Sequence, residues 1–202
     1  HPTAWLSLDD ADNDPARFLT YLAAALSGIG PPVRDVFEFV LQASSLPAVE
    51  IILTPLVNAL AQIENPFWLV LDDYHVIQNQ VVHQLVSFLL DHRPAALHLA
   101  IATRSDPPLS LSMLRVHSQM IELRLADLRF STPEIAEFLR HGMNLNLSEA
   151  DLASLETSTE GWIAGLQMAG LSLQGREDVS SYIRSFSGEN RYILELLFDE
   201  VF

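Results

Sequence analysis

Asp72 and Asp73 follow directly on five apolar residues, Phe67-Trp68-Leu69-Val70-Leu71. A run of that length and character reads as a buried strand. In open α/β sheets ligands sit outside the carboxyl ends of the strands, so two carboxylates emerging there can do linked chemistry. One can hold Mg²⁺ through its water shell, while its neighbour orients or polarises an attacking water. Taken alone, the pattern also fits an ordinary Asp-Asp turn after a strand. A second apolar run, Leu97 to Ala102, ends in Thr103-Arg104-Ser105-Asp106. Thr103 and Arg104 then stand at the same sheet edge, where an arginine can meet a terminal phosphate. A structural ion pair between Arg104 and Asp72 or Asp73 is the alternative. Acidic and basic groups on two consecutive strand ends favour a nucleotide-type site.

Other candidates are weaker. Asp10, Asp12 and Asp14 alternate like the start of a calcium loop, but Pro15 occupies the glycine position and Tyr21 the bidentate glutamate position. The segment reads instead as a solvated turn in which Asp14 caps a helix opened by Pro15. His75, His83, His92 and His98 lack His-Glu-x-x-His spacing, which argues against zinc. No Gly-x-Ser-x-Gly elbow is present. Trp5, Trp68 and Trp162 read as core residues.

Composition removes further classes. Across 202 residues, eleven basic side chains face twenty-six acidic ones, so 11 − 26 = −15, and every basic residue is arginine. Such a chain lacks the basic footprint that drives phosphate-backbone binding. Without lysine it cannot complete a P-loop. Without cysteine it has no disulfide framework, thiol nucleophile or cysteine zinc site, which fits a cytoplasmic protein. Hydrophobic residues make up 49% of the chain, enough for a substantial core. No run approaches the roughly 18 apolar residues that span a bilayer, and no signal peptide is visible. A first residue other than methionine, opening directly on a strand, reads as a piece of something longer.

The elements that must position Asp72 and Arg104 alternate. Strand-like runs at Ala4–Leu8, Phe67–Leu71 and Leu97–Ala102, with a weaker candidate at Ile121–Leu125, are separated by helical patterns. These helices fall near Phe18–Leu26, Val33–Gln42, Ala48–Ile63 and Gln80–Leu90. Such alternation indicates βαβ units and a parallel sheet, and continuous apolar strands suit a sheet covered on both faces. After Phe130 only helical patterns follow. Ser131-Thr132-Pro133-Glu134 is a capping box, Ser148 caps a second helix, and Gly161–Leu173, Val179–Phe186 and Arg191–Phe202 look helical. The expected fold is α/β over residues 1–130, a small all-helical domain over 131–187, and the start of a further region over 188–202.

Five motifs in order resemble one family: Trp5-Leu6-Ser7-Leu8-Asp9 with Asn13-Asp14-Pro15-Ala16-Arg17-Phe18, Leu71-Asp72-Asp73-Tyr74-His75, Ala102-Thr103-Arg104-Ser105-Asp106-Pro107-Pro108-Leu109, Leu125-Ala126-Asp127-Leu128-Arg129-Phe130, and Thr159-Glu160-Gly161-Trp162-Ile163-Ala164-Gly165-Leu166-Gln167. The likeness is to the large ATP-binding LuxR-type transcriptional regulators, STAND-class signal-transduction ATPases. It implies a partial P-loop NTPase fold followed by a helical lid and a truncated winged-helix region. It also implies ATP and Mg²⁺ as cofactors of the parent protein, with a small-molecule or protein inducer as partner. By the same likeness Asp72 is the Mg²⁺-associated Walker B aspartate, Asp73 the water-directing carboxylate, and Arg104 the sensor arginine beside Thr103. Gly165 lies in the lid segment that relatives place against nucleotide, although Gln167 stands where the wider class carries proline.

The sequence departs from the family in having no Gly-x-x-x-x-Gly-Lys-Ser/Thr. The implied missing piece carries the phosphate cradle and a central strand. The fragment alone is therefore expected neither to bind nor hydrolyse ATP, nor to contact nucleic acid or membrane. Loss of a central strand leaves open backbone edges, which strand rearrangement or a homo-oligomer would satisfy.

Overall fold

A computed structural model describes residues 1–30, 33, 49–176 and 178–183. Three parallel strands, β1 (Thr3–Ser7), β2 (Phe67–Asp72) and β3 (Leu97–Ile101), lie side by side in chain order. Ser7 sits opposite Asp72, and Leu71 opposite Ile101. Helices α1 (Pro15–Ser27) and α2 (Val49–Leu60) connect β1 to β2, and α3 (Gln80–Asp91) connects β2 to β3. Both α1 and α2 pack against α3. That follows from handedness: right-handed crossovers that keep advancing in one direction place their helices on one face of the sheet.

Local chemistry explains the helices. Asp14 accepts hydrogen bonds from the Ala16 and Arg17 N–H groups, Pro15 supplies the first helical residue, and Gly28 ends α1. Phe18, Leu19, Leu22, Ala23 and Leu26 form its buried stripe. They join Ala4, Leu6, Phe67, Leu69 and Leu71 from the strands and Val82, Leu85, Val86 and Leu89 from α3 in one core. Each such large side chain contributes about 1.5–3 kcal/mol on full burial.

The strands themselves differ from the reading of a sheet covered on both faces. Along β1, Ala4 and Leu6 are buried while Thr3, Trp5 and Ser7 are exposed. Trp5 is 59% and Trp68 38% exposed, and Trp162 of the second unit is also exposed. None of the three tryptophans is a core residue, correcting that expectation. Trp68 stacks on His98 with ring centroids 5.0 Å apart. The apolar run concealed a period of two, because tryptophan and valine occupy the outward positions of β2.

The chain divides into two compact units, His1–Gln119 and Met120–Phe202, with residues 120–130 grouped with the helices rather than the sheet. The strand expected at Ile121–Leu125 does not form. After the short helix α4 (Leu111–Val116), Leu125 instead starts the one-turn helix α5 (Leu125–Leu128). No strand among the described residues pairs with this segment, and Ile121 is 91% exposed. A strand-like pattern alone does not make a sheet strand: without a neighbouring strand the backbone groups of this exposed segment enter no ladder.

The second unit packs α6 (Thr132–Met143), α7 (Glu149–Thr159) and α8 (Ile163–Leu173) around Ile135, Leu139, Leu155, Leu166, Ala169 and Leu173. Ser131 and Glu134 cap α6 reciprocally, and Ser148 caps α7. Gly161, at φ 75°, turns the chain between α7 and α8. The helical pattern at Val179–Phe186 is described only as far as Ile183. The helical patterns over residues 34–42 and 191–202, and the region 188–202, lie outside the described residues. Among the described residues no helix is long and apolar enough to cross a membrane. The architecture is a partial P-loop NTPase-like α/β fold followed by helices.

Candidate functional site at the strand ends

The carboxyl ends of the three strands are tied together by main-chain bonds. Leu8 N–H donates to Asp72 O at 3.1 Å, Ala102 N–H to Leu71 O at 2.9 Å, and Tyr74 N–H to Ala102 O at 2.9 Å. Asp72 is half-buried at the last position of β2, and its Oδ1 accepts the Asp73 N–H at 3.0 Å. Asp73 then takes a left-handed conformation, φ 55° and ψ 35°, and opens a single helical turn, Tyr74–Val76. Aspartate tolerates this region better than most residues, yet a non-glycine residue there is uncommon and clusters at functional sites. The bend leaves the Asp73 carboxylate exposed, with Oδ1 3.8 Å from His75 Nδ1. That nitrogen is itself buried and has no hydrogen-bond partner among the described residues.

Behind this turn Tyr74 is buried, its hydroxyl 2.9 Å from His83 Nδ1 on α3. Burial pushes the Tyr74 phenol well above its ordinary range and lowers the His83 imidazole. Both therefore stay neutral near pH 7, and the pair acts as a dry strut between turn and helix.

Thr103 and Arg104 are exposed immediately beyond β3, and Thr103 Oγ1 donates to Ser105 O at 2.8 Å. The first unit thus brings Asp72, Asp73, Thr103 and Arg104 to the ends of two adjacent parallel strands. Gly165 belongs to the second unit, on α8, where a Cβ would lie 3.2 Å from the Thr159 side chain. Its closest described contacts are therefore within the helical core.

Sequence reasoning missed the turn from Asp9 to Arg17. It is not merely solvated. Asp12 is buried, accepting from Arg17 Nε at 3.0 Å and from the Asp9 N–H at 2.9 Å. Arg17 also reaches Asp9 at 3.1 Å, and the Asp12 hydrogen bond chiefly raises the guanidinium pKa. Asn13 reaches residues 76–79 on the far side of β2. The only signal in the sequence was the density of Asp and Asn, which fits many turns.

The donor set suits one part of a nucleotide complex. Two adjacent carboxylates fit Mg²⁺, which keeps several waters and needs only one or two protein oxygens. Among the described residues no three His, Asp or Glu side chains converge as a dedicated metal cage. A triphosphate additionally needs clustered N–H donors and a lysine, and the 202 residues contain no lysine.

No family model matches the sequence. Similar proteins do exist. The chain is 33% identical over 199 residues, 98% of its length, to the HTH-type transcriptional regulator MalT of Yersinia enterocolitica, and 32% identical over 199 residues to MalT of Yersinia pestis. It is also 32% identical over 198 residues to the serine/threonine-protein kinase PknK of Mycobacterium tuberculosis. The chain spans 22% of the length of the first of these and 18% of the kinase.

Proposed function

From this MalT-like relationship along nearly the whole chain, we infer that the protein is the regulatory ATPase segment of a LuxR-type transcriptional regulator. It carries the magnesium-facing half of a nucleotide site. Asp72 holds Mg²⁺, Asp73 directs water, and Thr103 with Arg104 faces the terminal phosphate. Gly165 belongs to the lid. The phosphate cradle comes from another part of the parent, which works in the cytoplasm and answers an inducer. The observation that carries this reading is the meeting of Asp72, Asp73, Thr103 and Arg104 on adjacent strand ends. Bound Mg²⁺ would supply charge neutralisation between phosphate oxygens. The chain's own part is to fix two carboxylates and one guanidinium at a rigid sheet edge.

Binding of a fluorescent ATP analogue to the full-length protein, titrated with Mg²⁺, tests the assignment. Asp72→Asn should weaken the Mg²⁺-dependent component by at least about tenfold, the usual scale for disturbing a metal ligand shell. Arg104→Ala should reduce the preference for ATP over ADP. An unchanged Mg²⁺ dependence in Asp72→Asn overturns the assignment. For the 202-residue chain alone, no Mg²⁺-dependent turnover is expected, and clear turnover would contradict the half-site reading.

A second reading is a protein-interaction module with a vestigial site. Similarity extending to a protein named as a kinase as well as to regulators supports a segment used in more than one setting. Failure of the full-length protein to bind nucleotide at all would favour it.

A further inference from the structure

Asn13 is one side chain with four hydrogen bonds. Its Nδ2 donates to Asp10 O at 3.1 Å and to Val76 O at 2.9 Å. Its Oδ1 accepts the Gln78 N–H at 2.6 Å and the Asn79 N–H at 2.9 Å. Three of these partners lie 63 to 66 residues away in sequence, so the amide joins the turn after β1 to the turn after β2. Only a side-chain amide offers two donors and a two-lone-pair acceptor at one end. Aspartate lacks the donors, and glutamine carries the group one carbon further out.

Both ends of this bridge are anchored. On one side, Asp12 is fixed by Arg17 and by the Asp9 N–H, while Asp14 caps α1. On the other, the Val76–Asn79 segment runs from the turn that Asp73 opens into α3, which Asn79 caps through the Val81 N–H at 2.8 Å. The near end of the same turn is pinned by Tyr74 N–H on Ala102 O. Asp73 lies next to that pinned end in a left-handed conformation, and such a residue persists only where its surroundings over-determine it.

We propose that Asn13 is the positioning residue of the strand-end site, holding the far end of the β2 turn so that Asp73 keeps its left-handed geometry and its N–H stays on the Asp72 carboxylate. The proposal deepens the nucleotide-site reading and rests on it for what the turn presents, but the clamp itself can be measured separately.

Two measurements on the full-length protein decide it. In hydrogen exchange, Asn13→Ala should speed exchange of the Gln78 and Asn79 amides and of the Asp73–Ile77 turn, leaving β2 protected. In the fluorescent ATP-analogue titration, the same variant should raise the Mg²⁺ concentration required by about tenfold. Asn79→Ala is the control, since it removes the α3 cap but keeps the main-chain N–H that Asn13 receives. Asn13→Asp keeps both acceptor contacts and loses both donations, so it should fall between wild type and alanine, and it serves if Asn13→Ala does not fold. Equal Mg²⁺ shifts in Asn13→Ala and Asn79→Ala would reduce the role to general stability and overturn the proposal. Unchanged turn exchange in Asn13→Ala, or in Asn13→Asp where alanine does not fold, overturns it as well. If Asp72→Asn leaves Mg²⁺ dependence intact, the nucleotide reading fails. Turn exchange then decides the clamp alone: acceleration upholds it and no change removes it.

Discussion

At the scale of single residues, the buried Tyr74–His83 pair gives the fold a pH dependence with a definite sign. Burial lowers the His83 pKa below its ordinary value. Above about pH 6.5 the imidazole is neutral in both folded and unfolded chains. Below that the unfolded chain takes up a proton that the folded chain refuses, so stability falls until the folded value is passed. The melting temperature should therefore decline from pH 6.5 to 5 in scanning calorimetry, and His83→Gln should flatten that interval; a slope that survives the substitution would locate the titration elsewhere. Glu134 acts in a lower window. Its carboxylate is held below the usual range chiefly by the Ser131 hydroxyl, so its capping contribution is present above about pH 4.5 and lost as pH falls through the lowered value. Tyr74→Phe removes the partner of a buried imidazole nitrogen and should cost about 1–3 kcal/mol. Asp73 makes a conformational prediction. Asp73→Asn should leave the denaturation midpoint nearly unchanged, whereas Asp73→Val should lose about 1–2 kcal/mol, because a β-branched residue resists the left-handed region. Equal midpoints would mean that the turn relaxes. The strand-end placement of Asp72 with Asp73 and of Thr103 with Arg104 was legible in the sequence because each pair stands at the end of an apolar run. Asn13 was not, since three of its four partners lie 63 to 66 positions further along the chain and nothing local distinguishes it from a turn asparagine.

Among the elements, what was legible divides by the range of the force. Asp14 with Pro15, Ser131 with Glu134, and Ser148 announced helices α1, α6 and α7 because capping is settled within four residues. Strand facing was not legible. Trp5 and Trp68 are apolar, but their outward direction depends on which face the crossover helices take, and that is a property of the whole sheet. The Ile121–Leu125 pattern failed for the same reason, since a strand exists only with a neighbour. Between α7 and α8, however, one residue dictates local geometry. A Cβ on Gly161 would lie 2.7 Å from Phe130 O and 3.2 Å from Phe130 N, at φ 75°, while Phe130 N–H donates to Gly161 O at 2.8 Å. Gly175 has the same φ with nothing within 4 Å. Gly161→Ala should therefore destabilise by about 1–3 kcal/mol and clearly more than Gly175→Ala in denaturant titrations. Equal losses would show that backbone conformation, not the Phe130 contact, sets the requirement.

For the whole molecule, the balance lies between an open sheet and a strongly acidic charge. The sheet ends at β3, whose outer edge has no partner strand among the described residues, and the face bearing Trp5 and Trp68 is exposed. An unpaired edge beside exposed aromatics favours association, whereas fifteen net negative charges oppose it. Salt weakens only the second effect. The Debye length shrinks from about 10 Å at 0.1 M to about 3 Å at 1 M, while the hydrophobic attraction of the open face persists. The isolated 202-residue chain should consequently associate more in high salt than in low, as read by sedimentation velocity at fixed protein concentration. Replacing Trp5 and Trp68 together by threonine should suppress the association with little change in melting temperature, because outward side chains add little to the core. A chain that stays monomeric at both salt concentrations would show that the open face does not drive self-contact. Association unaltered by the double substitution would place the contact elsewhere on the surface.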